Sequence, residues 1–546
     1  MTEVSNLAAL RAVTPPTGVV FVKDHGTPGT GGGGIFIWRT ETPFTTGDYS
    51  TDNDGTIVKS STVPSNSGSW VRSYDDVINV NFFGAVGTSA DYTTQIQKAI
   101  DFAKLNTKDN SAMTGSTVFI PNGSYFISTI HLKHGVTVVG ESYERTIIYA
   151  LESKEDEYMF DIEEGMVMIN ISRLNLQGRG TLRGGFYFEA KPQLTEPYHG
   201  GLMNSRISDI FIYDFKGHGI YLKGGGEHSN YLLPNQFNIF ENVRVFKGAD
   251  HTNALKLTGQ QGQTTFLNCQ FDGFKRNEKY ALGKNVHIQN TAEYPSAVIS
   301  FINCTVQDAD YGVFIEWAEN ITFDNCWFEN LGVAITVKSN FQDEYNDNPC
   351  KSINIVNSRF ANAAGFGSKS IGPGNVKPGQ CISIDKSFVT ANNNYVCISD
   401  INSPDFDSNS LFLISTPSPL GGITAEGNAF QLPILGKTYG IMQIRTVNAT
   451  DNSLNCSGHK LVFANSTGAF IKDILSTINA GEYLAIRADQ SSLTFKNTGN
   501  IAFLTTNPDQ SFTINNGEIA TFVKIDNFVG TYYETFQLVS IQKVIT

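Results

Sequence analysis

Between residues 171 and 360 one six-residue pattern of apolar and polar positions recurs. It reads ISRLNL (171–176), ISDIFI (207–212), FENVRV (240–245), FLNCQF (266–271), FINCTV (301–306), FDNCWF (323–328) and IVNSRF (355–360). Successive starts are 36, 33, 26, 35, 22 and 32 residues apart. A second alternating segment follows most copies: GGFYFE (184–189), GIYLK (219–223), ALKLT (254–258), NVHIQ (285–289), GVFIE (312–316), AITVK (334–338) and CISID (381–385). Short strands repeating at similar but unequal intervals predict a solenoid. The shortest interval is about one coil of a parallel β-helix, and the longer ones add loops.

In such a coil each strand stacks on its own next turn, roughly 4.8 Å away. Equivalent residues then form files. The fourth position (Cys269, Cys304, Cys326) is expected to face inward as a small apolar group. The third (Asn242, Asn268, Asn303, Asn325, Asn357) is expected at a corner, where asparagine tolerates the left-handed backbone.

Composition narrows the picture. The 546 residues include 51 Gly and 38 Phe, with 40% hydrophobic and only 17% charged residues, which suits a β-rich chain with many turns. Net charge is −13 and no basic run stands out, so no nucleic-acid face is expected. No apolar run reaches spanning length, and the start lacks a secretory pattern, so neither membrane insertion nor export by a leader is expected. Seven widely spaced cysteines without C-x-x-C argue against a disulfide framework or a zinc site and fit synthesis in a reducing cytoplasm. No cofactor and no metal are expected. The acidic turns TDNDG (51–55) and DEYND (343–347) lack a full calcium loop.

Residues 78–140 carry NVNFFGAVG, a helical stretch near 94–105 with Ile96, Ala99, Ile100 and Ala103 on one face, then VFIPNGSYFI and HGVTVVGES. Thr94 and Gln97 fit a capping box. This segment resembles the opening of the pectate-lyase-like β-helices of bacteriophage tailspikes. One departure is GTSADYTT where that family often has GDG-x-x-DDT; only Asp91 remains, at the helix cap. The first 77 residues also look tailspike-like. Their Gly29-x-Gly31-x-x-Gly34 is followed by IFIW, a strand, so it reads as a glycine turn and not a dinucleotide fingerprint.

The resemblance implies an all-β chain. It would have a small neck domain (1–77), a right-handed parallel β-helix (78–430) and a C-terminal antiparallel β-sandwich (431–546) that helps hold a homotrimer. It also implies a virion tail protein made in the host cytoplasm, joined to other tail proteins through an N-terminal attachment region missing or truncated here.

Alternation places Glu189, Tyr221, Lys256, His287, Phe314 and Glu316 on the outer face of the second segments, and Trp327 on that of the repeat strand. Aromatics with carboxylates and amides suit an extended polysaccharide. Glu227 and His228, in the glycine-rich loop GGGEHSNY, are candidates to line the same groove. Trp327 reads equally as a sugar platform or a subunit contact. Glycoside hydrolysis needs two carboxyl groups. The densest acidic stretch, 304–330, nominates Glu316 with Asp310 or Glu329, and Asp308 beside them. The expected function is endo-acting hydrolysis of a bacterial capsule or O-antigen. A lyase acting on a uronic-acid polymer, with Lys223, Lys256 or Lys338 neutralising the carboxylate, and a non-catalytic receptor-binding spike stay open beside it.

Overall fold

The computed structural model describes residues 1–40, 51–105, 116–151, 157–162, 168–181, 184–190, 201–225, 234–276, 279–290, 296–338, 340–341, 347–348, 350–361, 380–385, 387 and 389–397, and beyond residue 400 the strands alone. The chain divides into two units, Met1–Ala309 and Asp310–Thr546.

The first unit opens with a five-stranded sheet ordered Thr2–Val4, Val19–Asp24, Gly32–Arg39, Ser69–Arg72, Ile57–Val58. Leu7, Leu10, Val20, Val22, Phe36, Val58 and Trp70 form its core. The glycine run has a steric reason. A Cβ on Gly32 would lie 2.0 Å from the Asn81 carbonyl oxygen, and one on Gly33 2.1 Å from that of Lys23. The run thus allows backbones to touch, and it leads into a strand, as expected. Arg72 is buried beside it. Its guanidinium donates to the carbonyls of Gly32, Gly33 and Gly55 and lies between the Phe36 and Phe82 rings. The TDNDG carboxylates are engaged by cations: Asp52 and Asp54 pair with Arg11, and Asp54 with Lys98.

From residue 77 the backbone winds in coils whose strands pair in parallel. Within this unit three sheets form. In the first, Val138, Ile171, Ile207, Phe240, Phe266 and Phe301 are successive partners. In the second the file is Ile148, Leu176, Ile212, Val245, Phe271 and Val306. In the third it is Ile130, Phe160, Phe186, Ile220, Leu255 and Val286. Inner files stack like on like: the Phe240 and Phe266 rings are 4.9 Å apart and those of Phe266 and Phe301 4.8 Å. Each buried phenylalanine is worth about 1.5–3 kcal/mol, so these files supply much of the stability.

The corner between the first and second sheets is uniform. Arg173, Asp209, Asn242, Asn268 and Asn303 all have φ between 53° and 58°. The next residue turns inward, giving the file Leu174, Ile210, Val243, Cys269, Cys304. Cys269 and Cys304 are each 1% exposed, and both thiols donate to backbone carbonyls. The Asn242 amide donates to Asp209 Oδ1 of the neighbouring coil at 3.1 Å.

The helix Thr93–Leu105 buries Ile96, Ala99, Ile100 and Ala103. Its cap differs from the expected Thr94–Gln97 box. Asp91 accepts from the Thr93 amide and hydroxyl, while Gln97 exchanges hydrogen bonds with the His131 backbone. Gln97 therefore fastens the helix to a coil instead of closing its own first turn.

The second unit repeats the scheme. Ile321, Ile353 and Val389 are partners in one sheet; Trp327, Arg359 and Tyr395 in another; Ile335, Ile382 and Ile414 in a third. Asn325, Asn357 and Asn393 turn its corners with φ of 53°, 54° and 56°. Cys326 is 2% exposed, and Ser358 and Asn394 continue its file. Beyond residue 440 the antiparallel pairing expected for this region joins Tyr483–Ala488, Ile519–Ile525 and Thr535–Gln542. The strands Ile444–Asn448, Leu461–Asn465 and Tyr483–Ala488 pair in parallel instead, so the sheet is mixed.

The corner makes a stability prediction. Asn303→Val puts a β-branched side chain at φ 55° and lowers unfolding stability by about 1–2 kcal/mol, whereas Asn303→Gly costs less. Denaturant titration checks both. Cys269 and Cys304 stay unreactive to a thiol reagent until the coils open.

Candidate functional site

On the outer side of the third sheet of the first unit, one residue per coil points away from the core. In order they are His131, Asp161, Tyr187, Tyr221, Lys256 and His287, each the register partner of the last. Two residues on, Glu189, Lys223, Thr258 and Gln289 form a second outer file. Strand alternation produces both: Phe186 and Phe188 are buried, so Tyr187 and Glu189 face out.

Contacts between coils hold these side chains in place. The Tyr158 and Tyr187 rings stack at 4.9 Å, and Tyr187 and Tyr221 lie 5.3 Å apart. Lys223 Nζ donates to Glu189 Oε1 at 2.8 Å, and Thr258 Oγ1 donates to the Tyr221 hydroxyl at 3.0 Å. The Lys256 ammonium sits 4.6 Å from the centre of the Tyr221 ring. His131 Nδ1 is 2.5 Å from Asp161 Oδ1. Burial, with Glu189 nearby, raises the Tyr187 phenol well above its ordinary value and keeps it protonated.

The basic end of the file is denser than the sequence suggests. His218, in the turn before its strand, lies 3.4 Å from Lys256 Nζ through Nε2, and its Nδ1 accepts the Asn253 amide. Lys284 Nζ is 3.1 Å from His287 Nε2. His287 points outward as expected, yet these neighbours leave it only 8% exposed. Burial first, then Lys256, His287 and Lys247, lower the His218 pKa to about 3, so its imidazole is neutral.

Of the residues nominated from sequence, Glu189, Tyr221, Lys256 and His287 therefore share one face. Glu227 and His228 lie outside the described residues. Asp308 takes the left-handed conformation at φ 62° and serves as a corner residue. In the second unit Asp310 is only 4% exposed, in contrast to the open groove position expected for it. A Cβ on Gly332 would lie 2.6 Å from the Asp310 carbonyl oxygen, so these two are neighbours on adjacent coils. Glu329 precedes Gly332 by three residues, across the Asn330 corner. Glu316 ends the same strand, Thr305–Glu316, that contains Asp310. Glu316 stands six residues beyond Asp310 on this strand.

Trp327 is 38% exposed, its Nε1 donates to Glu329 Oε2 at 3.1 Å, and the Arg359 guanidinium lies 4.5 Å from its ring centre and 5.4 Å from that of Tyr395. Phe314 is half-buried, edge-on to Tyr311 at 5.7 Å.

Sequence reasoning missed His131, Asp161, His218 and Lys284. Asp161 was legible: in Tyr158–Ile162, Phe160 and Ile162 alternate with it. His218 stands just before its strand, Ile220–Lys223, and Lys284 lies within Lys279–Gln289 three residues before His287, out of phase with the outward alternation.

Two family models match. Residues 3–75 match the phage tail protein small four-stranded beta-sheet domain, and residues 77–175 match the Rhamnogalacturonase A/epimerase, pectate lyase-like domain. Among solved structures, tailspike gp49 of Acinetobacter baumannii bacteriophage Fri1, a capsular polysaccharide depolymerase, is 13% identical with a TM-score of 0.51, covering 99% of this chain and 92% of that one. The enzymatically active domain of bacteriophage CBA120 tailspike protein 2 is 15% identical with a TM-score of 0.44, covering 89% of this chain. The full-length tailspike protein 2 of Escherichia coli O157:H7 bacteriophage CAB120 is 16% identical with a TM-score of 0.44, covering 90% of this chain. The chain spans 57% and 51% of these last two. No curated protein sequence matches it. The fold is thus the parallel β-helix of phage tailspikes, behind a small phage-tail β domain.

The buried imidazole predicts a pH effect. Below about pH 6.5 the unfolded chain protonates His218 while the folded chain does not, so stability falls as pH drops toward the folded value of about 3. Melting temperature measured from pH 7 to about pH 4 should fall more for the wild type than for His218→Gln.

Proposed function

We propose that this chain is a phage tailspike that binds a bacterial surface polysaccharide, a capsule or O-antigen, and cuts it internally by glycosidic hydrolysis. It works as a homotrimer on the virion tail, joined to other tail components through its N-terminal side. The observation that carries the reading is the outer file from His131 to His287. It advances one coil at a time, about 24 Å over five steps. Two neighbouring rings, Tyr187 and Tyr221, to lie under sugar faces are flanked there by groups that bond hydroxyls. A linear polymer running along the coils meets a new side chain at each step. The fold shared with a tailspike that is a capsular polysaccharide depolymerase supports the same reading. Tyr221, Lys256, His287 and Glu189 are the proposed contacts in the first unit, and Trp327 and Phe314 in the second.

A second reading has its own support. Lys256 and Lys284 beside His218 and His287 suit the carboxylate of a uronic acid, as a lyase requires. Treating purified capsule with the protein separates the cases. Hydrolysis lowers polymer size and releases reducing ends without ultraviolet absorbance. Elimination adds an absorbing C=C bond. A receptor-binding spike without activity leaves polymer size unchanged. Tyr221→Ala is expected to weaken capsule binding by roughly 5–30-fold, the loss of about 1–2 kcal/mol from one ring platform.

A further inference from the structure

We infer that Asp161 and Glu189 are the acid and base of glycosidic hydrolysis, an assignment that rests on the depolymerase reading above. They are placed by register. Asp161 pairs with Tyr187 on the adjacent coil, and Glu189 lies two residues beyond Tyr187 on the same face. One inter-strand step and two residues along the strand combine to roughly 8 Å between their Cα atoms. Side chains projecting side by side from one face keep their carboxyl groups near that Cα spacing, and carboxyl groups about 6.5–9.5 Å apart leave room for a water and suit inversion. Both side chains are half-buried, 26% exposed, so each meets solvent without being swamped by it. The pair lies along a ring platform: Tyr187 is the register partner of Asp161, and its ring stacks on that of Tyr158 and is tilted against that of Tyr221.

The partners divide the roles. Glu189 accepts from Lys223 Nζ and from the Tyr187 hydroxyl, two donors that stabilise a carboxylate. It is the base. Asp161 Oδ1 lies 2.5 Å from His131 Nδ1, a partner that donates or accepts according to its tautomer, so the hydrogen between them can be carried by Asp161. It is the acid, and His131 resupplies it. In the reaction Glu189 takes a proton from water as the water oxygen bonds to the anomeric carbon. The bond from that carbon to the glycosidic oxygen breaks, and the bonding pair stays on the oxygen. That oxygen takes the proton from Asp161. Afterwards Glu189 releases its proton to solvent and Asp161 regains one through His131, so one water is consumed per cut.

The test uses the full chain. It is spotted on lawns of encapsulated bacteria, and the capsule purified from a strain that shows a halo becomes the substrate. Asp161→Asn and Glu189→Gln are expected each to lower the cutting rate by about 10²–10⁴-fold while capsule binding and melting temperature stay near wild type. Formate or azide should restore cutting to Glu189→Ala, which a merely structural ion pair would not permit. Proton NMR of fresh product should show inverted anomeric configuration. Glu241→Gln, which breaks an ion pair with Arg206 on the first sheet, is the control for general loss. If the wild type cuts and either isosteric variant cuts within twofold of it, or if configuration is retained, the assignment is overturned while the depolymerase reading stands. If the wild type shortens no capsule on any lawn, that reading fails, and the acid–base assignment falls with it.

Discussion

The structure depends on one backbone constraint, the left-handed corner that each coil makes between its first and second sheets. Arg173, Asp209, Asn242, Asn268 and Asn303 all adopt it within a few degrees, and Asn325, Asn357 and Asn393 repeat it in the second unit. Because the described coils from Arg173 on turn at an equivalent residue, their adjacent strands meet without offset. A slip of one residue would turn every inner side chain to the outside. The corner therefore fixes not only the path of the chain but which side chains can be functional. For L-residues this conformation is costly, and the cost is offset by the inward residue that follows and by amide bonds such as Asn242 to Asp209.

That constraint explains what could be read from sequence. The Asn-small pair is local, so the corners, the buried cysteines and the outward alternation of Tyr221 and Glu189 were legible from single strands. Relations between strands were not. Single-strand alternation left open that Asp308 would supply a corner itself and that Asp310 would turn into the protein. Likewise Thr94 and Gln97 have the spacing of a cap, but Gln97 is drawn to the His131 backbone, a long-range partner no local pattern reveals. The mixed C-terminal sheet is the same lesson: alternation identifies strands and says nothing about their direction.

The inner and outer files also differ in what they are free to vary. Inside, the third sheet stacks Ile130, Phe160, Phe186, Ile220, Leu255 and Val286, all apolar and interchangeable within volume limits. Outside, His131, Asp161, Tyr187, Tyr221, Lys256 and His287 differ in charge and chemistry at almost every step. Fold stability asks little of that outer file. Plain solvation would be served by exposed lysines and glutamates that touch nothing. Here the side chains are half-buried or buried and fastened across coils by rings, imidazoles and ion pairs.

Such fastening has an entropic consequence that favours recognition. A free lysine or tyrosine must give up rotamers when a ligand binds, at about 0.5–1.5 kcal/mol each. Tyr221 is already held by the Thr258 hydroxyl and the Lys256 ammonium, and Glu189 by Lys223. That cost is met by folding, not by binding. A flexible polysaccharide, which must itself be ordered on the surface, can be gripped by a face prepared in this way with modest contacts per sugar. The same rigidity sets the limits of the chemistry, because carboxylates anchored on successive coils cannot close on one another. A Cα separation of roughly 8 Å between Asp161 and Glu189 is then a fixed property of the coil spacing, and side chains projecting side by side from it suit a water molecule between acid and base.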